Sequence, residues 1–155
     1  MPLPPVTFLL EDEACASRFG AALARHLRPG DTVLLHGPVG AGKSHIARAG
    51  IRALCGEGTE VPSPTFTLVQ VYDGPECEIW HADLYRLTDP DEVVELGLVE
   101  AMDRAILLVE WPDRLGSYLP PDAIRLHLEP RGEARLAWLE NAPPDLTAAL
   151  REAIR

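Results

Sequence analysis

The amino-acid sequence predicts an α/β fold in which a mixed central sheet is flanked by helices. Three observations lead to this prediction. A glycine-rich segment at residues 37–44 lies between an apolar run and a stretch that is compatible with a helix. Residues 105–109 are continuously apolar, as is typical of a strand that is covered on both faces. Two pairs of β-rich segments, within residues 65–85 and 123–139, surround turn residues and predict hairpins.

In the N-terminal part, the elements follow from apolar runs and from the residues that stop them. Residues 6–10 predict a first strand, and the acidic residues at 11–13 open a helix that Pro29-Gly30 ends. Residues 32–36 predict the strand that leads into the glycine-rich segment. Residues 44–54 predict the helix that leads out of it, because their apolar residues form one stripe.

The middle of the chain predicts a hairpin and a short helix. Residues 61–64 are extended, because residues before proline avoid the helical region. Residues 65–72 and 78–85 are rich in β-forming side chains and predict the two strands of the first hairpin. Residues 89–102 begin with an acidic residue and proline and predict a helix that is broken at Gly97.

The C-terminal part completes the sheet. Residues 105–109 predict the central strand, and residues 112–119 a loop or short helix. Residues 123–128 and 135–139 alternate around a proline–glycine turn and predict the second hairpin. Residues 145–154 predict a closing amphipathic helix.

Composition limits the class of protein. With 155 residues, no repeat and no linker, residues 1–155 are expected to form a single domain. No apolar run approaches the length of a membrane span, and the N-terminus lacks the pattern of a signal peptide. Cys15, Cys55 and Cys77 are odd in number and form no C-x-x-C pair, which fits a reducing cytoplasm. The net charge of −10 disfavours binding of nucleic acid by this chain alone.

Residues 37–44 have the pattern G-x-x-x-x-G-K-S, which is the phosphate-binding P-loop. Because its glycines have no Cβ, the loop can turn several backbone N–H groups toward a phosphate, and the following helix adds its positive end. Lys43 supplies a mobile charge for the outer phosphates, and Ser44 offers a hydroxyl to a phosphate-bound Mg²⁺. The motif predicts a P-loop NTPase-like domain, rather than a turn that only joins a strand to a helix.

Glu110 closes the most apolar strand in the sequence. A P-loop site usually takes a second carboxylate on the Mg²⁺ side from a neighbouring strand, and the carboxyl end of a parallel strand faces the ligand crevice. Glu110 is therefore a candidate to hold Mg²⁺, directly or through water, or to orient the attacking water. The alternative is an exposed acid at the end of a strand.

A second group of polar residues follows the first hairpin. His81, Asp83 and Tyr85 stand at i, i+2 and i+4 and are expected to share one face of a strand. Asp83 is predicted to be a metal-side or water-orienting carboxylate. His81 is more often a hydrogen-bonded structural residue at such a position, and Tyr85 is predicted to pack. Arg86 is a candidate to neutralise a phosphate or to pair with an acid such as Asp89.

Two further residues have two interpretations each. Thr65 stands in a rigid proline-containing segment after the P-loop helix, where a threonine in a nucleotide switch reaches the γ-phosphate and its Mg²⁺. The alternative is an incidental threonine in a proline-rich turn. Trp111 directly follows Glu110 and either stacks near the nucleotide or a partner, or packs in the core.

Taken in order, the segments 37–44, 63–66, 81–86 and 110–111 resemble the TsaE (YjeE) family of bacterial ATPases. The resemblance extends from about residue 6 to about residue 140. It implies a part in tRNA threonylcarbamoyladenosine biosynthesis, with ATP or ADP and Mg²⁺ as cofactors. It also implies weak ATP hydrolysis by the protein alone and action on a TsaB–TsaD partner complex, through which tRNA would be reached indirectly.

The same resemblance implies roles for individual residues. Asp83, Glu110 and Thr65 are expected to be catalytic, and Ser44, Glu110 and Asp83 are expected to serve Mg²⁺. The residues expected to bind the nucleotide are Gly37, Gly40, Ala41, Gly42, Lys43, Ser44, His45, Glu13, Trp111 and Arg135. The chain departs from the family at Ser44, where threonine is common, and at Pro38-Val39, where Pro38 removes one backbone N–H from the loop.

Two other functions remain open from the sequence. A small-molecule P-loop kinase would need an acceptor pocket and usually a lid carrying arginines, for which Arg86 and Arg104 are candidates. A nucleotide-gated binding module would bind ATP or ADP tightly without turning it over.

Overall fold

The computed structural model describes residues 6–64 and 67–155. The strands of these ranges are β1 Val6–Leu10, β2 Thr32–His36, β3 Val69–Asp73, β4 Glu78–Asp83, β5 Ile106–Glu110, β6 Ile124–Arg131 and β7 Ala134–Glu140. The helices are α1 Glu13–Arg25, α2 Lys43–Cys55, α3 Glu92–Glu95, α4 Leu98–Ala101 and α5 Pro144–Ala153, and a 3₁₀ segment spans Pro112–Tyr118. No helix within the described ranges is both long enough and apolar enough to cross a membrane.

The strands of the described chain form one sheet in the order β1-β7-β6-β2-β5-β4-β3. The four central strands, β6, β2, β5 and β4, are parallel to one another. Antiparallel pairs extend the sheet on both sides, with β3 on β4 at one edge and β7 between β6 and β1 at the other. The predicted mixed sheet, both hairpins and the central position of β5 are confirmed.

Two predicted strand boundaries are wrong. Strand β3 begins at Val69, so residues 67–68 do not belong to it as predicted, and Thr65 lies outside the described residues. Strand β4 ends at Asp83, so Tyr85 does not share a strand face with His81 and Asp83. The physical reason is local, because the backbone N–H of Tyr85 donates a hydrogen bond to Oδ1 of Asp83 at 3.1 Å. Such an aspartate turn competes with continuation of the strand.

The main core lies between one face of the sheet and the helices α1, α2 and α5. Phe19 of α1 and Ile51 of α2 are fully buried there. The two helices approach closely at Gly20, where a Cβ atom would lie 2.6 Å from the carbonyl oxygen of Ile46. Glycine at this position therefore sets how near α2 lies to α1.

The second core covers the opposite face of β2, β5 and β4. Leu34, Leu107 and Val109 of the strands are buried against Leu98 of α4 and Leu115 of the 3₁₀ segment. Since β5 is buried along its whole length, its position in the sheet is fixed from both sides. The two cores thus hold the carboxyl ends of the parallel strands in place.

Replacing Gly20 by alanine is expected to destabilise the protein by about 1–3 kcal/mol, because the added methyl group would overlap the carbonyl oxygen of Ile46. Without this contact, alanine in a helix would favour folding by about 1 kcal/mol. Urea unfolding measures the difference. Gly58→Ala is the matched control, since the space around Gly58 is open, and its midpoint should change little. An unchanged midpoint for Gly20→Ala would contradict the close approach of the helices.

Candidate functional site

The loop between β2 and α2 has a backbone that requires glycine. The φ angles of Gly37, Gly40 and Gly42 are +151°, +83° and +99°, which side chains other than glycine rarely allow. In addition, a Cβ on Gly37 would lie 2.6 Å from the carbonyl oxygen of Leu128. The loop ends at Gly42, the N-cap of α2, and the first N–H groups of a helix have no partner within the helix. The sequence motif therefore folds into the anion-binding geometry that it predicts.

Lys43, the first residue of α2, is 5% exposed and lies between the loop and Trp111. Its Nζ donates a hydrogen bond to the carbonyl oxygen of Gly37 at 2.6 Å and lies 3.7 Å from the centre of the Trp111 ring. Burial lowers the pKa of Lys43, and the carboxylates of Glu110, Asp83 and Asp113 oppose that shift. The lysine charge is thus held close to the loop but is partly desolvated.

Ser44 and Glu110 meet although they are far apart in sequence. The hydroxyl Oγ of Ser44 lies 3.0 Å from each carboxylate oxygen of Glu110, and it donates a shared hydrogen bond to them. Glu110 is 3% exposed and ends β5, where it lies opposite Leu35 of β2 and opposite Asp83 of β4. This position is consistent with the prediction that Glu110 points into the P-loop crevice. The alternative, an exposed acid at the end of a strand, is wrong because Glu110 is buried.

Asp83 and His81 lie on β4, next to Glu110. Asp83 is buried and is the direct sheet neighbour of Glu110, so two carboxylates end adjacent parallel strands. His81 is 1% exposed, and its Nε2 lies 2.7 Å from Oε2 of Glu110. His81 is therefore a hydrogen-bonded residue within the site.

These groups line one cavity of about 430 Å³ at the carboxyl end of the parallel strands. Its lining residues are Val39, Gly40, Gly42, Lys43, Ser44, His45, Asp83, Tyr85, Glu110, Trp111 and Arg135. The position at the carboxyl ends of the strands is where α/β sheets bind ligands. A cavity of this size falls in the range that accommodates a small molecule or cofactor.

Three of the expected nucleotide-binding residues lie outside the lining of this cavity. Ala41 is fully buried in the main core. Gly37 contributes its carbonyl oxygen to Lys43. Glu13 lies at the start of α1, where its backbone carbonyl oxygen is 3.2 Å from Nε2 of His45. Nucleotide binding by these three residues remains a prediction.

Arg135 reaches the loop from β7. Its guanidinium lies against Gly42, where a Cβ atom would be 2.5 Å from Nε of Arg135. That buried Nε has no hydrogen-bond partner among the described residues. A buried donor without a partner costs free energy, so this nitrogen is available to a ligand at the loop.

Trp111 follows Glu110 in a left-handed backbone conformation, with φ of +58°. Its ring contacts both Lys43 and Tyr85, with 5.1 Å between the ring centres of Trp111 and Tyr85. Tyr85 packs against Trp111, as the sequence predicts, but it does so at the surface with 52% exposure. Sequence reasoning did not identify Tyr85 and Val39 as lining residues. The signal for Tyr85 was its position two residues after Asp83.

The residues of the site fit a Mg²⁺ ion bound with a phosphate. Mg²⁺ prefers oxygen ligands and usually keeps water and phosphate oxygens beside one or two protein groups. Ser44 and Glu110 offer a hydroxyl and a carboxylate at hydrogen-bond distance from each other. Within residues 6–64 and 67–155, no group of three or more His, Cys, Asp or Glu side chains could hold a metal by itself. The phosphates would therefore complete the ligand set.

The sheet, the loop and the strand-end carboxylates together define a P-loop fold of the nucleotide-binding NTPase class. A comparison with solved structures agrees on the fold. The crystal structure of YdiB from Bacillus subtilis superposes with a TM-score of 0.72, over 97% of this chain and 94% of that chain, at 21% sequence identity.

The sequence identifies the family within this class. Residues 10–137 match the family described as "Threonylcarbamoyl adenosine biosynthesis protein TsaE". A relative from Rickettsia felis is 41% identical over 121 residues, which are 78% of this chain and 71% of the relative. One from Haemophilus influenzae is 33% identical over 136 residues, which are 84% of this chain and 85% of the relative. Both bear the name tRNA threonylcarbamoyladenosine biosynthesis protein TsaE. The chain belongs to the TsaE family.

The lowered pKa of Lys43 leads to a test of the site by pH. Burial penalises the charged lysine at every pH below its pKa in the folded protein. Between that pKa and the ordinary value, the unfolded chain binds more protons than the folded protein, so folding stability rises with pH. Lys43→Met lacks this titration. We therefore expect the free energy of unfolding of the wild type, minus that of Lys43→Met, to increase as the pH rises from neutral toward about 11.

Urea unfolding of both proteins at each pH measures this difference. Tyrosines and cysteines titrate in the same range in both proteins, and their effects cancel in the comparison. A difference that stays constant, or that moves in favour of Lys43→Met, would contradict the desolvated state of Lys43.

Proposed function

We propose that this chain binds ATP or ADP with Mg²⁺ in the P-loop cavity and hydrolyses ATP in support of tRNA threonylcarbamoyladenosine biosynthesis. Membership of the TsaE family supports the process, which is the one in the names of the relatives. The main observation in support of ATP hydrolysis is that Ser44 hydrogen-bonds to Glu110 and that both line the same cavity as Lys43. A hydroxyl, a carboxylate and a lysine at a P-loop are the groups that phosphoryl transfer requires.

Each group has a distinct task in this proposal. The loop N–H groups and Lys43 bind the phosphates, and for this Nζ exchanges the Gly37 carbonyl oxygen for phosphate oxygens. Ser44 and Glu110 hold the Mg²⁺, which neutralises charge on the phosphates when it is bound. Asp83, the sheet neighbour of Glu110, would accept a hydrogen bond from the attacking water. Arg135 offers to the phosphates its Nε, which has no hydrogen-bond partner within residues 6–64 and 67–155.

The partners in this proposal are proteins. With a net charge of −10, the chain is poorly suited to bind the tRNA backbone alone. We propose that it acts on a TsaB–TsaD complex, which would contact the tRNA. The exposed Val39 and Tyr85 at the rim of the cavity are apolar groups that a protein partner would cover, and they favour contact close to the nucleotide. Location in the cytoplasm remains a prediction.

Glu110→Gln is expected to lower ATP turnover by about a hundredfold or more, because the neutral amide is a much weaker Mg²⁺ ligand than the carboxylate. Turnover is measured for the protein alone and with TsaB, TsaD and tRNA. Glu129→Gln is the matched control, since Glu129 is exposed on β6 and should leave turnover unchanged. Lys43→Ala should lose both nucleotide binding and turnover.

The outcomes separate the three candidate functions. Turnover that is weak alone, rises with partners and is lost in both site variants supports the proposal. Tight nucleotide binding without turnover in any mixture would contradict hydrolysis and leave the nucleotide-gated binding module. Transfer of phosphate to a small metabolite would favour a kinase instead.

A further inference from the structure

His81 is a buried side chain for which sequence reasoning did not settle a role. It lies on β4 with 1% exposure, two residue pairs before Asp83 and Glu110 meet in the sheet. Its Nε2 is 2.7 Å from Oε2 of Glu110. Its other ring nitrogen, Nδ1, is buried and has no hydrogen-bond partner among the described residues. The ring therefore makes one hydrogen bond, and that bond is to a site carboxylate.

The pattern of partners defines which nitrogen donates. The carboxylate of Glu110 only accepts, so Nε2 carries the hydrogen in this bond. An unpartnered N–H at Nδ1 would leave a buried donor without an acceptor, whereas the neutral Nε2–H form leaves a lone pair there. Nε2 is thus the functional atom of His81.

In the part of the chain that the structure describes, Ser44 and His81 both hydrogen-bond to the carboxylate of Glu110. Ser44 lies 3.0 Å from both oxygens, and His81 contacts Oε2 alone. In the proposed function, Ser44 would turn its hydroxyl oxygen to the Mg²⁺ ion, and this contact would replace its hydrogen bond to Glu110. The bond from His81 does not require this change, because it reaches Glu110 from the adjacent strand. It can keep Oε2 fixed while the hydroxyl of Ser44 turns.

We propose that His81 is a positioning residue that orients Glu110 toward the Mg²⁺ bound with the nucleotide. The inference rests on the proposed function and names a residue on which its Mg²⁺ site depends. A group that orients a metal ligand in this way typically contributes about 10- to 100-fold to metal affinity. The opposing interpretation is that His81 only fills space in the sheet.

Three substitutions distinguish these interpretations. In His81→Gln, the amide nitrogen stands the same number of bonds from Cβ as Nε2 of histidine, so it can donate to Glu110. In His81→Asn, the amide nitrogen takes the place of Nδ1 and cannot reach Glu110. His81→Leu fills the space without any donor. His81→Asn keeps a polar residue at the position, so it provides the test if the leucine variant does not fold.

The measurement is the affinity for ADP, by calorimetry, in EDTA and across a Mg²⁺ titration. In EDTA, all variants should bind ADP within about threefold of wild type, which also shows that they are folded. In Mg²⁺, His81→Asn and His81→Leu should need about tenfold or more Mg²⁺ to tighten ADP binding, whereas His81→Gln should stay within about threefold of wild type.

Two results would overturn the inference, and they differ from a failure of the proposed function. Equal Mg²⁺ dependence in wild type, His81→Asn and His81→Leu would show that His81 does not orient Glu110. An equal loss in all three variants, with no rescue by glutamine, would assign His81 a packing role. If wild type itself bound no ADP, or bound it without regard to Mg²⁺, the proposed function would fail and the inference with it.

Discussion

The register of β5 between β2 and β4 is the constraint on which the site depends. It places Glu110 opposite Leu35 on one side and opposite Asp83 on the other. A slip of one residue would turn Glu110 to the other face of the sheet, away from Ser44. The register is held by burial of β5 on both faces, in the main core and in the second core. Packing far from the loop therefore decides whether the carboxylate and the hydroxyl meet.

The charged and polar groups of the cavity are only partly paired with one another. Lys43 is bound to a loop carbonyl and a tryptophan ring, and burial still lowers its pKa. Arg135 keeps a buried nitrogen without a partner among the described residues, and Trp111 keeps a left-handed backbone. Such features cost stability and persist where the surrounding structure enforces them. An anion at the loop would relieve the first two, which is the physical reason to expect phosphate there.

Much of this arrangement could be predicted from the sequence, because its signals are local. The glycine spacing predicted the loop, and the apolar run before Glu110 predicted a central strand with an acid at its end. The errors arose where a side chain acts on the backbone or across strands. Asp83 ends β4 by binding the N–H of Tyr85, which no apolar pattern indicates. The bond from His81 to Glu110 depends on which strands are neighbours, and the sequence alone does not determine that order.

A crystal structure with a non-hydrolysable ATP analogue and Mg²⁺ would test the central claim most directly. The account predicts β- and γ-phosphates within hydrogen-bond distance of the loop N–H groups and of Nζ of Lys43. It also predicts that Ser44 Oγ contacts the cation and that Oε2 of Glu110 keeps its hydrogen bond to His81. A nucleotide bound elsewhere, or an unchanged Ser44–Glu110 hydrogen bond with no cation between the phosphates and Ser44, would contradict it.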